Sequence, residues 1–563
     1  GSIAGGEFNV AVGNYTLDAL TSGDNNVAIG YNAGQAQTTA GANVLIGEGA
    51  GQALTTGGAN VIIGKGAARS GTLTGDTNVY VGGEAGAFNS SGSSNIGIGY
   101  AALDGFDTES NNLAIGRDAL GGAVAGGEYN VAIGNYSLDA LTSADNTVAV
   151  GYNAGTALTV GADNTFVGAY AGAATVDGAS NTCVGNGAGQ LGNMTNGHNT
   201  LIGYVSGQDL AAGQKNVFIG EASGKEATST ENSVVIGYNA VATGVMTGNQ
   251  NTIVGAESGS ALTSGNINTV FGPYALKGCT TGSKNIAIGS DALRYPDTED
   301  SNLAIGFQAL GGSSLAGGED NVAIGNHTLQ SLEGADLCVA VGYNAGNDIV
   351  NATGNNLFGY AAGSVISSGS NNTAVGRNAG QTNTSGDNNI QIGYNAKTSA
   401  SDTSNSIVIG VDIATVADRV AIGKSGALIY ADFASSATWT QSSDERLKDN
   451  ITSTDLGLEF VNELRPVTFK WKDTTTVPEE LTKQKTEVNA KNTETLQYGL
   501  IAQEVKSAMD KVGHDKFTGW DLDEDDSQSL REGQFIYPLI KAVQELSAQV
   551  TTLQNEVNTL KGE

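Results

Sequence analysis

One phrase, Asn-Val-Ala-Ile-Gly, recurs throughout residues 1–423 of this 563-residue chain, and its spacing limits the fold more than any other feature. It stands at Asn26 to Gly30 and Asn321 to Gly325, and varies to NVLIG at Asn43 to Gly47 and NLAIG at Asn112 to Gly116. Taking its glycine as origin, the phrase falls at Gly13, Gly30, Gly47, Gly64 and onward to Gly376, Gly393 and Gly410. The steps are 17, with occasional steps of 18 and one of 19, and a last copy ends at Gly423. A fixed short period means stacked units, each touching only its neighbours.

Within a rung, positions −3 and −1 from the glycine are usually Val, Ile, Leu, Thr or Phe. That alternation predicts a short strand, and the −3/−1 side is expected to be the buried one. Position +3 is Ala, Ser or Thr, as at Ala33, Ala50, Ser137, Ala154, Ser223 and Ala345. A compulsory small residue means close packing there. The asparagine at −4 suits a tight bend, because its side chain can bond its own backbone. One strand spacing of about 4.8 Å per rung gives a rod of roughly 115 Å. One chain offers a thin core on this count, so several chains around a shared axis are expected, with the +3 residues near their contact.

Longer periods lie above the rung. AGGEFNVAVGNYTLDAL (4–20) returns at 125–141 and 316–332, and the segment 94–116 returns at 284–306. Composition excludes other classes. Glycine numbers 82 but proline only 5, so collagen is out. Cys183, Cys279 and Cys338 are too few for a disulfide framework or a four-cysteine zinc site, and three histidines make no metal centre. No cofactor and no metal is expected. The 26 basic against 57 acidic residues leave a formal charge of −31, which repels nucleic acid. No apolar run approaches 18 residues, so no membrane helix is expected. The opening Gly1-Ser2 carries no basic-then-apolar leader and reads as a cloning remnant on a fragment, with a further N-terminal part expected ahead of it.

The rod phrase resembles the head repeats of trimeric autotransporter adhesins, whose strands read like SVAIG followed by a small residue. Those heads are trimeric parallel β-rolls, and the rung here is longer. The likeness implies a mainly β fold, a trimeric parallel β-roll or β-helix rod of about 17-residue repeats.

Charge breaks the chain in two. Residues 1–442 hold 46 charged residues, and 443–563 hold 37. From 441 the chain reads QSSDERLKDNI, then DLGLEFVNELRPVTFKWKD, QYGLIAQEVKSAMD and GQFIYPLIKAVQEL. These blocks, in this order, resemble the C-terminal intramolecular chaperone of endosialidase-type phage tailspikes and tail fibres. The resemblance implies an α+β domain that trimerises, guides folding of the upstream β-structure and then cuts itself off with a Ser–Lys dyad. On this sequence the S-D-x-R-x-K pattern makes Ser443 the nucleophile and Lys448 the general base. The bond cut is expected at the Ser442-Ser443-Asp444 junction. The divisions expected are a rod at 1–423, a linker at 424–442, the chaperone domain at 443–538 and a coiled coil at 539–563.

A serine hydroxyl is a weak nucleophile and needs a neighbouring base. Lysine serves only where burial or neighbours lower its pKa. Five residues on a helix leave two side chains about 140° apart, so Ser443 is expected ahead of the helix or at its start. Without the downstream blocks, Ser442 and Glu445 would read as a capping box opening an ordinary helix. Both readings are compatible. Further on, Leu539, Val543, Leu546, Val550, Leu553, Val557 and Leu560 step by 4 and 3, the heptad of a coiled coil. Val at a with Leu at d favours dimers, whereas the resemblance implies a trimer, which is the expectation here.

Other constellations carry less. Gly423-Lys424-Ser425 imitates the end of a phosphate loop, but Asp418 stands where the pattern needs glycine. Asp521, Asp523, Asp525 and Glu532 imitate a calcium loop whose obligatory glycine is Asp526. Glu7, Glu128 and Glu319 recur, as do Asp107/Glu109 in Asp297/Glu299, and paired carboxylates can hydrolyse a glycan. Structural roles are the simpler reading. Cys183 and Cys338 read as packing residues. Tyr31, Tyr100, Tyr152, Tyr238, Tyr343 and Tyr394 at +1 form a row that either binds sugars or stacks rung on rung.

The expectation is therefore a phage tail fibre. It would be a homotrimer that binds a host cell-surface receptor, joins other tail proteins through its N-terminal part, and resides in the virion tail after assembly in the host cytoplasm. Its only catalysis would be one self-cleavage. The alternatives are a tailspike depolymerase acting on host polysaccharide and a bacterial trimeric surface adhesin.

Overall fold

The computed structural model describes residues 5–122, 126–312, 317–433, 436–441, 443, 445–472, 494–523 and 526–562. The chain divides into two compact units, 1–442 and 443–563.

The first unit is a parallel β-solenoid. Three-residue strands run from Val10–Val12 to Ile390–Ile392, followed by Ile407–Val411 and Arg419–Lys424. Each pairs in parallel with the next rung, in register: Val131 faces Val148, Ala132 faces Ala149 and Ile133 faces Val150. The origin glycine lets the coil turn. Gly151 has φ +143°, and a Cβ there would run into the carbonyl oxygen of Gly168. The arcs between strands are tied as closely as the strands: Leu138 N donates to Ala154 O at 3.0 Å, and Gly155 N to Ala171 O at 2.9 Å.

The buried side of the strand is the opposite of the one expected. The middle residue, at −2, is enclosed in rung after rung, and its size varies freely: Ala28, Leu45, Ile62, Tyr80, Phe166 and Phe218 are all at about 0% exposure. The −3 and −1 residues point outward. Ile96, Ile98, Ile286, Ile288, Ile390 and Ile392 are each 37–38% exposed. The reason is closure of the coil. Each arc folds back over −2 and brings +3, +4 and +7 against it, so Ala154, Leu138 and Leu158 join Ala149 and Phe166 in one core. The +3 residues are small because they sit inside the coil; Ala33, Ala50 and Ala154 are fully buried within a single chain. They are therefore not at a contact between chains.

The −4 asparagine also acts differently from the expectation. Its side chain bonds neighbouring rungs. Asn43 Oδ1 accepts from Asn60 N at 2.8 Å, and its Nδ2 donates to Gly57 O at 3.1 Å. Asn164 repeats this with Asn181 N at 2.9 Å and Gly178 O at 2.8 Å. This buried amide column satisfies backbone groups that the short strands leave over. Thr147, Ser233 and Ser406 stand in the column where asparagine is missing.

The segment 424–442, expected as a linker, is largely strand. Ala427–Asp432 pairs antiparallel with Arg419–Lys424, and Ser436–Gln441 pairs antiparallel with Ala427–Asp432. The alternation Leu428, Tyr430 against Ile429, Ala431 suits a hairpin on the last rung. Among the described residues it completes a 27-stranded sheet.

The second unit is α+β. Helix α1 spans Leu458–Glu463, α2 spans Ala502–Lys511 and α3 spans Ile536–Lys561. Strand Val467–Phe469 pairs antiparallel with Gln497–Gly499, and Trp520–Leu522 with Gln528–Leu530. The core is small: Leu456, Phe460, Val505, Ala508 and Met509, with Phe517 and Phe535 packed on Phe460. Glu545 on α3 accepts the Leu458 amide at 2.8 Å, tying α1 to α3. Gly457 makes room for this; a Cβ there would meet the Glu545 carboxylate.

Candidate functional site

The candidate site lies at the first residues of the second unit. Ser443 precedes a single 3-10 turn, Glu445–Leu447, and Lys448 follows it. The turn is closed by Lys448 N donating to Glu445 O at 3.0 Å. Ser443 stands ahead of the turn and Lys448 just after it, so helical spacing does not hold their side chains apart. Lys448 Nζ reaches Ser443 Oγ at 2.7 Å, and both side chains are exposed in the single chain. Ser442 and Asp444 lie outside the described residues, as does the capping box that Ser442 would make with Glu445.

This pair has the contact that nucleophilic catalysis requires. The hydroxyl and the amine are within one proton transfer of each other. A neutral amine would accept the serine proton, whereas an ammonium only donates.

The other carboxylates have structural partners. Glu109 and Glu299 are buried at 3% and 2% exposure. Glu109 Oε2 accepts from Asp107 N and Thr108 N, both at 3.0 Å, and Oε1 from Gly126 N at 2.9 Å. Glu299 does the same with Asp297 N at 2.6 Å, Thr298 N at 3.0 Å and Gly317 N at 2.8 Å. Each clamps its own turn to the next rung, where the spacing lengthens. The amides of Glu7, Glu128 and Glu319 donate to Asp24, Asp145 and Asp336 one rung on, at 2.7–2.9 Å.

Gly423 and Lys424 end a strand and Ser425 begins the hairpin turn, so they build no phosphate loop. Asp521 is held by Arg531 at 2.5 Å across a hairpin, and Asp525 lies outside the described residues. Among the described residues no group of three potential ligands could hold a metal ion, and no helix is long and apolar enough to cross a membrane. Cys183, Cys279 and Cys338 are buried and unpaired with one another. Burial pushes all three thiols up, Cys279 to about 12. Cys183 fills a −2 core position, and Cys338 takes a place in the asparagine column, donating from Sγ to Ala352 O at 3.1 Å.

Sequence reasoning missed the apolar wall of the rod, because it assigned those residues to the interior. The signal was present: the −2 position ranges from Gly97 to Tyr80, as an interior of adjustable width allows.

Residues 443–514 match the family model described as chaperone of endosialidase. No curated protein and no solved structure matches the chain significantly. The matched segment begins at Ser443 and includes Lys448, α1 and α2. Behind a long parallel β-solenoid of about 17-residue coils, the chain thus carries an endosialidase-type chaperone segment, the combination of a phage tail fibre or tailspike with a C-terminal chaperone.

Proposed function

We propose that this chain is the subunit of a homotrimeric phage tail fibre, and that its C-terminal unit trimerises, sets the register of the rod and then releases itself through Ser443 and Lys448. The contact of Lys448 Nζ with Ser443 Oγ at 2.7 Å, at the first residue of the matched segment, carries the reading. Ser443 Oγ adds to the scissile carbonyl carbon at the Ser442-Ser443-Asp444 junction, and its proton passes to Lys448 Nζ and on to the leaving amine nitrogen. Water then hydrolyses the ester, which frees a carboxylate and restores the hydroxyl.

Two open apolar surfaces support the trimer. Leu539, Val543, Leu546, Val550, Leu553, Val557 and Leu560 on α3 are all 45% exposed or more. The −3/−1 wall of the rod is a second such surface, and parallel sheets are ordinarily covered on both faces. A partner with the same period matches that wall at every rung. Such non-local, in-register pairing is slow, which gives a C-terminal trimerising unit its use. The finished fibre would bind a host cell-surface receptor and join other tail proteins.

Mass measurement of the purified chain beside Ser443→Ala tests the reading. Two pieces from the parent chain, one of them near residues 1–442, with an intact variant, are expected. Two intact chains overturn the dyad and leave the C-terminal unit as a permanent cap.

A further inference from the structure

One edge of the rod carries two long runs of rings and guanidinium groups in one column. Tyr136, Tyr152 and Tyr170 stand on three consecutive rungs with ring centroids 6.1 and 5.3 Å apart, edge to face. Phe307, His327, Tyr343 and Tyr360 stand on four, at 5.2, 5.8 and 5.4 Å. Within these runs, two rungs without a ring carry an arginine instead. Arg117 lies 5.7 and 6.0 Å from the rings of Tyr100 and Tyr136, and Arg377 lies 5.7 and 5.9 Å from those of Tyr360 and Tyr394. The column thus runs unbroken over five rungs from Tyr100 to Tyr170 and over six from Phe307 to Tyr394.

Two residue orders build it on the same coil backbone, whose +2 residue is left-handed with or without a ring, as at Glu84 (φ 59°) and Val205 (φ 47°). The residue at +2 is left-handed in these rungs, a conformation that asparagine tolerates, as at Asn153 (φ 55°), Asn344 (φ 55°) and Asn395 (φ 51°). In those rungs the ring sits at +1. Elsewhere the order is reversed: Asn135 precedes Tyr136 (φ 59°), and Asn326 precedes His327 (φ 58°). A bulky ring on a left-handed residue is a genuine outlier. Rung stability alone is met better by the Tyr-Asn order. Both orders nevertheless place a ring in the same column.

The rings are also half open. Tyr100, Tyr152, Tyr343, Tyr360 and Tyr394 are 44–54% exposed. Tyr152 stands edge to face with Tyr136 and Tyr170, while Tyr343 and Tyr360 stack at 15°, so the column offers apolar ring surface with hydroxyl groups. That surface suits a ligand with apolar C–H faces between hydroxyl groups, repeated at short intervals like the rungs. The rod's field selects further, since 12 basic against 34 acidic residues in 1–442 repel a polyanion. We infer that this column is a binding surface for a neutral carbohydrate chain lying along the rod, an inference that rests on the receptor-binding part of the function proposed above and names its ligand class.

The test applies the full-length chain to immobilised neutral and acidic oligosaccharides, beside the Tyr343→Ala/Tyr360→Ala and Tyr343→Phe/Tyr360→Phe double variants. Retention on neutral glycans is expected, roughly 10–100-fold weaker for the alanine pair and nearly unchanged for the phenylalanine pair, which keeps both ring faces. Any of three results overturns the inference: retention of the parent chain on no glycan, preference for acidic glycans, or equal retention of the alanine pair. Sedimentation of the same samples separates the remaining cases. An alanine pair that loses subunits while the phenylalanine pair does not marks the column as a contact between chains. A parent chain that is monomeric and uncleaved refutes the fibre reading independently of glycan retention.

Discussion

Phe166 in the rod is fully enclosed by its own coil, whereas Val550 and Leu553 on α3 stand 51% and 59% exposed. Each rod rung buries its core between its own arc and the neighbouring rungs of the same chain. Among the described residues, the apolar core cluster of the C-terminal unit has five buried members, and the unit leaves its longest apolar row open. One unit thus closes a core without a partner, and the other calls for one. The rod has its own open surface too, the −3/−1 wall, but most of its residues are partly buried and flank a finished core. A unit that depends on association is suited to gather chains first, and a unit that closes each rung by itself is suited to follow.

Several changes would break or sharpen this contrast. The largest effect is expected at the junction of the two units. Lys448→Gln keeps a polar side chain beside Ser443 but removes the base, and should slow self-cleavage about 10²–10⁴-fold in a time course of chain mass. A rate within a few-fold of the parent chain would exclude Lys448 as the base. Next, Phe166→Ala should cost the rod about 3–5 kcal/mol locally, read as hydrogen exchange in the rungs at 151–185, while the subunit number stays constant. Leu553→Asp should do the reverse, lowering the subunit number by light scattering and leaving rod exchange unchanged. If Phe166→Ala alone disperses the subunits, the rod is not self-sufficient and the contrast fails.

Smaller effects test the polar devices. Asn164→Ala removes partners of Asn181 N and Gly178 O and should cost about 1–3 kcal/mol in local exchange. Burial, reinforced by Asp118 and Asp139, pushes the Asp104 carboxyl from 3.8 up to about 6. Its folded pKa lies above its unfolded value, so the folded chain holds this proton more tightly. Rod stability should therefore fall as pH rises from about 4 to 6, by about 1 kcal/mol or less for a half-buried group screened by water. Asp104→Asn should flatten that slope in thermal melts across the same range.

Much of the fold was legible because the 17-residue period repeats so many times. What the period could not give was the inside. Alanine at −2, as in Ala28 and Ala132, looks like a spacer beside Val and Ile, yet it is the enclosed residue. Only the rungs with Tyr80, Phe166 or Phe218 at −2 betray the true interior. Small +3 residues look alike whether they meet another chain or their own coil. Segment 424–442 reads as a linker because glycine drops and the phrase ends, while Leu428, Ile429 and Tyr430 pair with the last rung. Ser443 and Lys448 were legible from the surrounding motif. The position of Ser443 ahead of the turn was also expected, because five helical residues would set the two side chains apart; that the turn is a single 3-10 turn was not legible.

The in-register ladder has a mechanical consequence. Hydrogen bonds between rungs run along the direction in which the strands stack, so tension applied to the two ends of the rod loads them in series. A solenoid pulled in that way peels from an end one coil at a time. Each event frees 17 residues of slack, roughly 50–55 Å beyond the rung spacing already spanned. Steps of nearly equal length should appear in a force trace, with slightly longer ones where the coil spans 18 or 19 residues. A fibre built this way would yield under load in small, reversible increments and remain tethered throughout.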